Sequence, residues 1–374
     1  MRYRDLPYEG RRKIVSLVFE EAERMKEDGK RINYSELSRR ILAKTGIMLC
    51  SETIRHWFTG KYMPMGKFKA IRRCPDENAQ MVKGLLITDL KRTDTRHTIW
   101  LSLFTTKDFY ARSIERFLAR YGWATVRPML VHDIPTWWMS AYLDYEAWTH
   151  ELERPIEQLT REEKLKLLSG AIAGDGCITI HTNQRRIRFK ISLCSTQKRR
   201  IKTFSQILKS LSIPHSLTKS QVRGRRSRIR DLIIRTRAYY EYLVTVEARI
   251  AVKYLLTNLK LVHPFREVKR VLALRFIEKD VLDRDLVKPV WDYLRFVEKY
   301  STIRSQIKAC ELIPDEKFDE KHLNKKEILR RLRGKLYECA DRVRELKPIV
   351  TRIISSLRVP QPLFFFGKPH ADKV

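Results

Sequence analysis

Asp175 stands at the end of the apolar run Leu168-Ser169-Gly170-Ala171-Ile172-Ala173-Gly174 and directly before Gly176-Cys177-Ile178-Thr179-Ile180-His181. The run reads as a helix that leads straight into a strand. A helix ends on the negative pole of its dipole, so a carboxylate there is disfavoured and a bound cation would relieve it. Gly170 and Gly174 lie four residues apart on one helix face, where the missing side chains let a second backbone come near. Asp89 repeats the arrangement. Val82-Lys83-Gly84-Leu85-Leu86-Ile87-Thr88-Asp89-Leu90 aligns with Leu168 to Gly176 at an offset of 175 minus 89, or 86 residues. Gly84, the small Thr88 and the acid keep their places. The pattern predicts two helices, each with a small-residue face that lets another backbone come near.

The elements that carry these acids are duplicated too. Leu101-Ser102-Leu103-Phe104-Thr105-Thr106-Lys107 aligns with Ile191-Ser192-Leu193-Cys194-Ser195-Thr196-Gln197 at an offset of 90, so the second hairpin holds four more residues. Phe109 to Tyr121 and Arg199 to Leu211 share helical spacing, and Tyr145-Glu146 and Tyr240-Glu241 are read as opening matching aromatic helices. Each copy fits the order αββαββα. In the second copy Arg186, Arg188, Lys190 and Ser192 alternate with Ile187, Phe189, Ile191 and Leu193, so one sheet face is basic and the other apolar. Cys177, Thr179 and His181 oppose Ile178 and Ile180 in the same way. Arg223, Arg225, Arg226, Arg228 and Arg230 read as a hairpin that extends the basic face. The Trp137-Trp138 pair is read as core or inter-repeat packing in preference to base stacking.

Lys and Arg outnumber Asp and Glu by 77 to 44 in 374 residues, a formal charge of +33. A folded chain with that surplus repels itself unless a polyanion shares its surface, which points to nucleic acid. The positive residues run along the whole chain and are not gathered beside one amphipathic segment, which argues against a membrane surface. The six cysteines form no C-x-x-C pair, so zinc ribbons and a disulfide framework are not expected. With no signal-peptide pattern and no apolar run of spanning length, a soluble, cytoplasmic, nucleoid-associated location is expected.

Before the repeats, Arg11 to Lys26, Tyr34 to Lys44 (capped by Asn33) and Ser51 to Phe58 carry helical spacing, with a break at Thr45-Gly46. Two helices, a glycine-containing connection and a third helix presenting Thr53, Arg55 and His56 are similar to a helix-turn-helix reader, flanked by basic Lys61, Lys67, Lys69, Arg72 and Arg73. After the repeats, Val268 to Glu278, Val290 to Lys299 and Lys325 to Leu357 read as helices, Pro314 to Glu320 as a solvated acidic loop, and Leu363 to Phe366 as a segment docking back. The expected division is 1–75 helix-turn-helix-like, 76–158 first unit, 159–300 second unit and 301–374 helical extension.

The repeated acid-ended helices, LSGAIAGDG in the second copy and VKGLLITDL in the first, resemble the LAGLIDADG homing endonucleases and their maturase relatives over about residues 80 to 300. The resemblance implies an α+β fold in which two αββαββα units meet along the motif helices and form a pseudo-two-fold saddle of antiparallel sheets over the major groove. It implies a monomeric, site-specific double-stranded DNA endonuclease. Asp89 and Asp175 would be catalytic and would hold Mg²⁺ or another divalent metal. Arg55, His56, Thr179, His181, Arg186, Arg188, Lys190 and the five hairpin arginines would contact DNA. Departures stand beside it: Ala173 and Ile87 replace the sixth-position acid, Leu90 replaces the glycine after the helix, and Cys194 and Phe104 take the place of a water-positioning polar residue. The family's basic residue would fall around Lys260 to His263. The alternative is a non-cleaving DNA-binding regulator, like the sporulation regulators that fuse such cores to helix-turn-helix modules, or an RNA-splicing maturase acting on structured intron RNA.

Overall fold

The computed structural model describes residues 1–29, 31–59, 74–95, 97–183, 185–222, 226–229, 232–235 and 239–357. The chain opens with α1 (Tyr8–Glu27), α2 (Tyr34–Thr45) and α3 (Ser51–Phe58). Asn33 caps α2 by accepting from the backbone N–H of Ser35 and Glu36, and Gly46, at φ +68°, ends it in the left-handed conformation that glycine adopts without strain. Val18, Ala22, Leu37, Ile41, Ile54 and Trp57 form a core of their own. Buried Glu21 ties α1 to α2, accepting from Lys44 at 2.6 Å and from Arg24 at 2.7 Å. One expectation for α3 is corrected. Arg55 is exposed, but the His56 side chain is only 13% exposed and pairs with Glu52 at 3.1 Å, one turn back on the same helix.

The first repeat runs α4 (Ala79–Thr88), β1 (Lys91–Asp94), β2 (Thr98–Thr105), α5 (Asp108–Leu118), β3 (Trp123–Val131), β4 (Ile134–Asp144) and α6 (Tyr145–Glu153). The second runs α7 (Arg161–Gly174), β5 (Gly176–Asn183), β6 (Arg186–Ser195), α8 (Lys198–Ser210), β7 (Ser216–Val222), a two-stranded hairpin of β8 (Arg226–Ile229) and β9 (Leu232–Arg235), then β10 (Tyr239–Val246) and α9 (Arg249–Asn258). Both four-stranded sheets are antiparallel with one order, β1-β2-β4-β3 and β5-β6-β10-β7. This is the α+β architecture expected from the repeat, and the four extra residues lengthen the β5–β6 hairpin. Tyr240-Glu241 does not open a helix. It lies inside β10, because Tyr239 to Val246 is an unbroken run rich in aromatic and β-branched residues, which favour a pleated surface; the matching helix, α9, starts at Arg249.

Beyond the repeats lie α10 (Pro264–Glu278), α11 (Arg284–Leu312), α12 (Glu316–Asp319) and α13 (Lys325–Ser356). Residue 300 falls inside α11, so the expected boundary there cuts a continuous helix; no glycine or proline follows Pro289 to break it. This helix ties the two repeats together. The Trp291 ring N–H donates to the Ile178 carbonyl of β5 at 3.3 Å, and the Trp137 ring N–H of β4 donates to the Ser305 carbonyl at 3.1 Å. Trp137 is thus buried packing. The acidic stretch 314–320 is also no plain solvated loop: α12 forms within it because Phe318 buries against Cys310 and Ile313. Leu363 to Phe366 lie outside the described residues.

Candidate functional site: an acid pair beneath two unlike sheets

The two motif helices meet at backbone distance. A Cβ added to Gly84 would overlap the Leu167 carbonyl, one on Gly170 the Met81 carbonyl, and one on Gly174 the Thr88 side chain, so α4 and α7 approach as closely as they do only through these glycines. Thr88 donates its hydroxyl to the Gly84 and Leu85 carbonyls, each at 3.2 Å, and the same oxygen is the atom that a Cβ on Gly174 would meet first. The second helix is also fixed at its start, where Thr160 and Glu163 form a reciprocal capping box. Gly176 follows α7 in the place that Leu90 holds after α4. A side chain at Gly176 would overlap Ile172, whereas Leu90 is buried in the core.

This packing brings Asp89 and Asp175 together. Their carboxyl groups are close enough to share a hydrogen bond, and Asp175 is pushed up from 3.8 to about 6, first by partial burial and then by Asp89; Arg200 and Arg266 pull it the other way. Tyr110, buried on α5, donates its hydroxyl to Asp89 Oδ2 at 2.7 Å, and burial together with Asp89 holds its own pKa well above the usual value. Arg266 on α10 donates to the carbonyls of Ile172, Ala173 and Gly174, so a protein cation already meets the negative end of α7. Arg200 on α8 donates to the Thr88 carbonyl at 3.4 Å, meeting the end of α4. The basic residue expected around Lys260 to His263 is not His263. That side chain is buried and held neutral, first by burial and then by Arg266, and its Nδ1 accepts from the Arg266 backbone N–H as the cap of α10.

Tyr110, Arg200 and Arg266 were not singled out from the sequence. Tyr110 and Arg200 are 90 residues apart, the offset of the repeat, so asking which polar residues share a place in both copies would have found the pair. Arg266 lies three residues past the expected window.

The second sheet gathers its expected residues on one face. His181 faces Arg188 across the β5–β6 register, Thr179 faces Lys190 and Cys177 faces Ser192. Arg186, Arg188 and His181 are exposed, while Lys190 pairs with Glu247 at 2.6 Å. Cys194 continues the face, its thiol pushed up to about 12 by burial and by a hydrogen bond with Glu241, which suits it poorly to ionic chemistry. Arg226 and Arg228 lie on β8. Arg223, Arg225 and Arg230 lie outside the described residues, as do the basic residues of 61–73. The first sheet differs: its corresponding face carries Trp100, Phe104 and Trp138.

Among the described residues no group of three or more His, Cys, Asp or Glu side chains is arranged to hold a metal ion, so the acid pair would need phosphate and water oxygens to complete a coordination shell. The chemistry of the pair fits a divalent cation nonetheless. Two carboxylates held this close are a hard, oxygen-only donor set whose repulsion a cation removes. No described helix is long and apolar enough to cross a membrane.

The chain is a duplicated α+β fold whose two acid-ended helices pack through glycine, and comparison with known proteins shows what it is similar to. Residues 162–247, from α7 to β10, match a family model described as a LAGLIDADG-like domain. No curated protein matches the chain. Among solved structures, similarity is found to the homing endonuclease I-DmoI in complex with DNA and Mn, at 14% identity and TM-score 0.30, covering 49% of this chain and 97% of that one. I-WcaI bound to its DNA recognition sequence is 10% identical, with TM-score 0.34 and coverage of 50% and 82%. The LAGLIDADG meganuclease I-AabMI bound to uncleaved DNA is 10% identical, with TM-score 0.29 and coverage of 54% and 98%.

Proposed function

We propose that the protein is a site-specific double-stranded DNA endonuclease of the LAGLIDADG homing type, acting as a monomer with internal pseudo-symmetry. The observation that carries this reading is the acid pair: Asp89 and Asp175 meet at the ends of glycine-packed helices, beside a sheet whose open face is basic. Asp89 and Asp175 would hold Mg²⁺ or another divalent cation, which would supply Lewis-acid charge for phosphodiester hydrolysis. The protein's own groups do the positioning. Tyr110 orients Asp89 through its hydroxyl, Arg266 neutralises the carbonyl end beneath Asp175, and Thr179, His181, Arg186, Arg188 and Lys190 hold the duplex through its phosphates and groove edges. The hairpin arginines extend that hold, and α1 to α3 add a helix-turn-helix-like contact in which Arg55 is the exposed side chain.

A second reading, a duplex-binding regulator that does not cleave, is favoured by one observation. Tyr110 already occupies an oxygen of Asp89, and Arg200 and Arg266 already pull Asp175 toward its charged form, so the pair is partly satisfied without a cation. Incubating the full chain with a randomised duplex library and magnesium, and sequencing the ends produced, decides between them. Cleavage at a long preferred site, lost in both Asp175→Asn and Asp89→Asn, supports the endonuclease. Enrichment of a bound consensus with no cut ends supports the regulator, and cleavage retained in both variants refutes the acid-pair assignment.

A further inference from the structure

The two sheets share a backbone and differ in chemistry. At the repeat offset of 90, Trp100 and Phe104 of β2 stand where β6 has Lys190 and Cys194. On β4, Trp138 faces Phe104, and on β3, Arg127 faces Trp138. The Phe104 and Trp138 rings are nearly parallel, 10° between planes with centroids 6.0 Å apart, and Trp100 sets its edge toward Trp138 at 6.1 Å. The Arg127 guanidinium lies 3.9 Å from the centre of the Trp138 ring. Phe104 is 49% exposed, and none of the three rings joins the large core that fills the other face of this sheet. A strand position repeated in a basic form in one half and an aromatic form in the other is not explained by packing.

We propose that this face is a stacking platform for the unpaired bases of single-stranded DNA. Its occupant must offer flat rings to Phe104 and Trp138 and negative charge to Arg127 in a chain of formal charge +33. A nucleotide strand meets both demands, since every base has a π-face and every link a phosphate. A duplex does not: its bases are stacked on one another and show the grooves only their edges. The choice of deoxyribose over ribose rests on the function proposed above, because the rings stack either strand. Ser102 and Ser140 are buried beneath the rings, and Ser140 already accepts from the Trp100 ring N–H at 2.8 Å. Beside the basic second sheet, such a platform suits DNA with a duplex arm and an unpaired arm. That placement of the duplex rests on the function proposed above; the platform itself does not.

The test is fluorescence anisotropy with the full chain and three probes of one sequence: an unstructured single-stranded DNA of about 15 nucleotides, the same sequence as RNA, and the duplex. Phe104→Leu and Trp138→Leu keep apolar bulk and lose the π-face; Phe104→Tyr and Trp138→Phe keep it. Each leucine variant is expected to weaken single-stranded DNA binding about tenfold, with the aromatic variants within about twofold of the parent, unchanged duplex affinity and unchanged melting temperature. Leucine variants that bind single-stranded DNA like the parent overturn the proposal, as do variants that lose duplex binding to the same extent. Equal RNA binding with the same dependence on the rings overturns the assignment to DNA. Absence of cleavage by a chain that passes these tests counts against the endonuclease alone.

Discussion

Asp175→Asn should make the protein more stable at neutral pH while removing its proposed activity. Folding raises the Asp175 carboxyl from 3.8 to about 6, through partial burial and the neighbouring Asp89. The folded state therefore binds this proton more tightly than the unfolded chain, and the benefit of the protonated form, complete below about pH 3.8, is lost as pH rises through about 6. Taken at face value the shift is about 3 kcal/mol. One side of Asp175 is open to water, and screening there reduces the expected figure to about 1 kcal/mol. Asparagine carries no charge and escapes the cost, so at about pH 7.5 in chelator the variant should melt about 1–2 °C higher. Near pH 4 the advantage should vanish, because the parent carboxyl is then protonated in the folded state. Millimolar magnesium should raise the melting temperature of the parent and leave the variant unchanged. A variant less stable than the parent at about pH 7.5, or equally advantaged at both pH values, would refute the claim that two crowded acids dominate this junction.

The glycine packing predicts opposite signs for the same substitution at two places. Gly170→Ala should cost about 3 kcal/mol in urea unfolding, since its Cβ would overlap the Met81 carbonyl, whereas Gly334→Ala in α13, with nothing within 4 Å, should gain about 1 kcal/mol. Tyr110→Phe removes the donor to Asp89 Oδ2 and should cost about 1 kcal/mol by the same measurement. If Arg188 contacts phosphate, Arg188→Ala should lower the slope of log affinity against log salt for duplex DNA by about 0.9, with Arg330→Ala on α13 as a control that leaves it unchanged.

Much of this architecture was legible because duplication repeats a signal. Gly84 and Gly170, or Asp89 and Asp175, mean little singly, but their recurrence at matched places pointed to both helices and to their mutual contact. Alternation did the same for the basic face, since Arg186, Arg188 and Lys190 sit at a period of two. What was missed has a common cause: side chains that act across large sequence separations leave no local pattern. Arg266 reaches the end of α7 from 92 residues away, and the hydroxyl of Ser113 reaches the Val262 carbonyl across 149. The clamp formed by α11 was hidden for the same reason, because its partners Ile178 and Trp137 lie in different repeats. Tyr240 failed differently: a Tyr-Glu pair shared by both copies pointed to a helix start, against the β-branched residues that follow it.

The asymmetry between the halves bears on how the acid pair works. A symmetric nuclease places equivalent groups at each scissile phosphate, yet Tyr110 and Arg200 hold the same repeat position and do unlike things. Tyr110 gives a hydrogen bond to Asp89, and Arg200 places positive charge near Asp175 and bonds the end of the opposite helix. The sheets diverge in the same direction, aromatic above Asp89 and basic above Asp175. Asp175 is thus the more open acid, with Arg200, Arg266 and the basic face beside it, while Asp89 is fixed by a neutral donor. If the two halves contribute unequally to phosphate chemistry, the half built on α7 and α8 should contribute more, and losing Asp175 should cost more activity than losing Asp89.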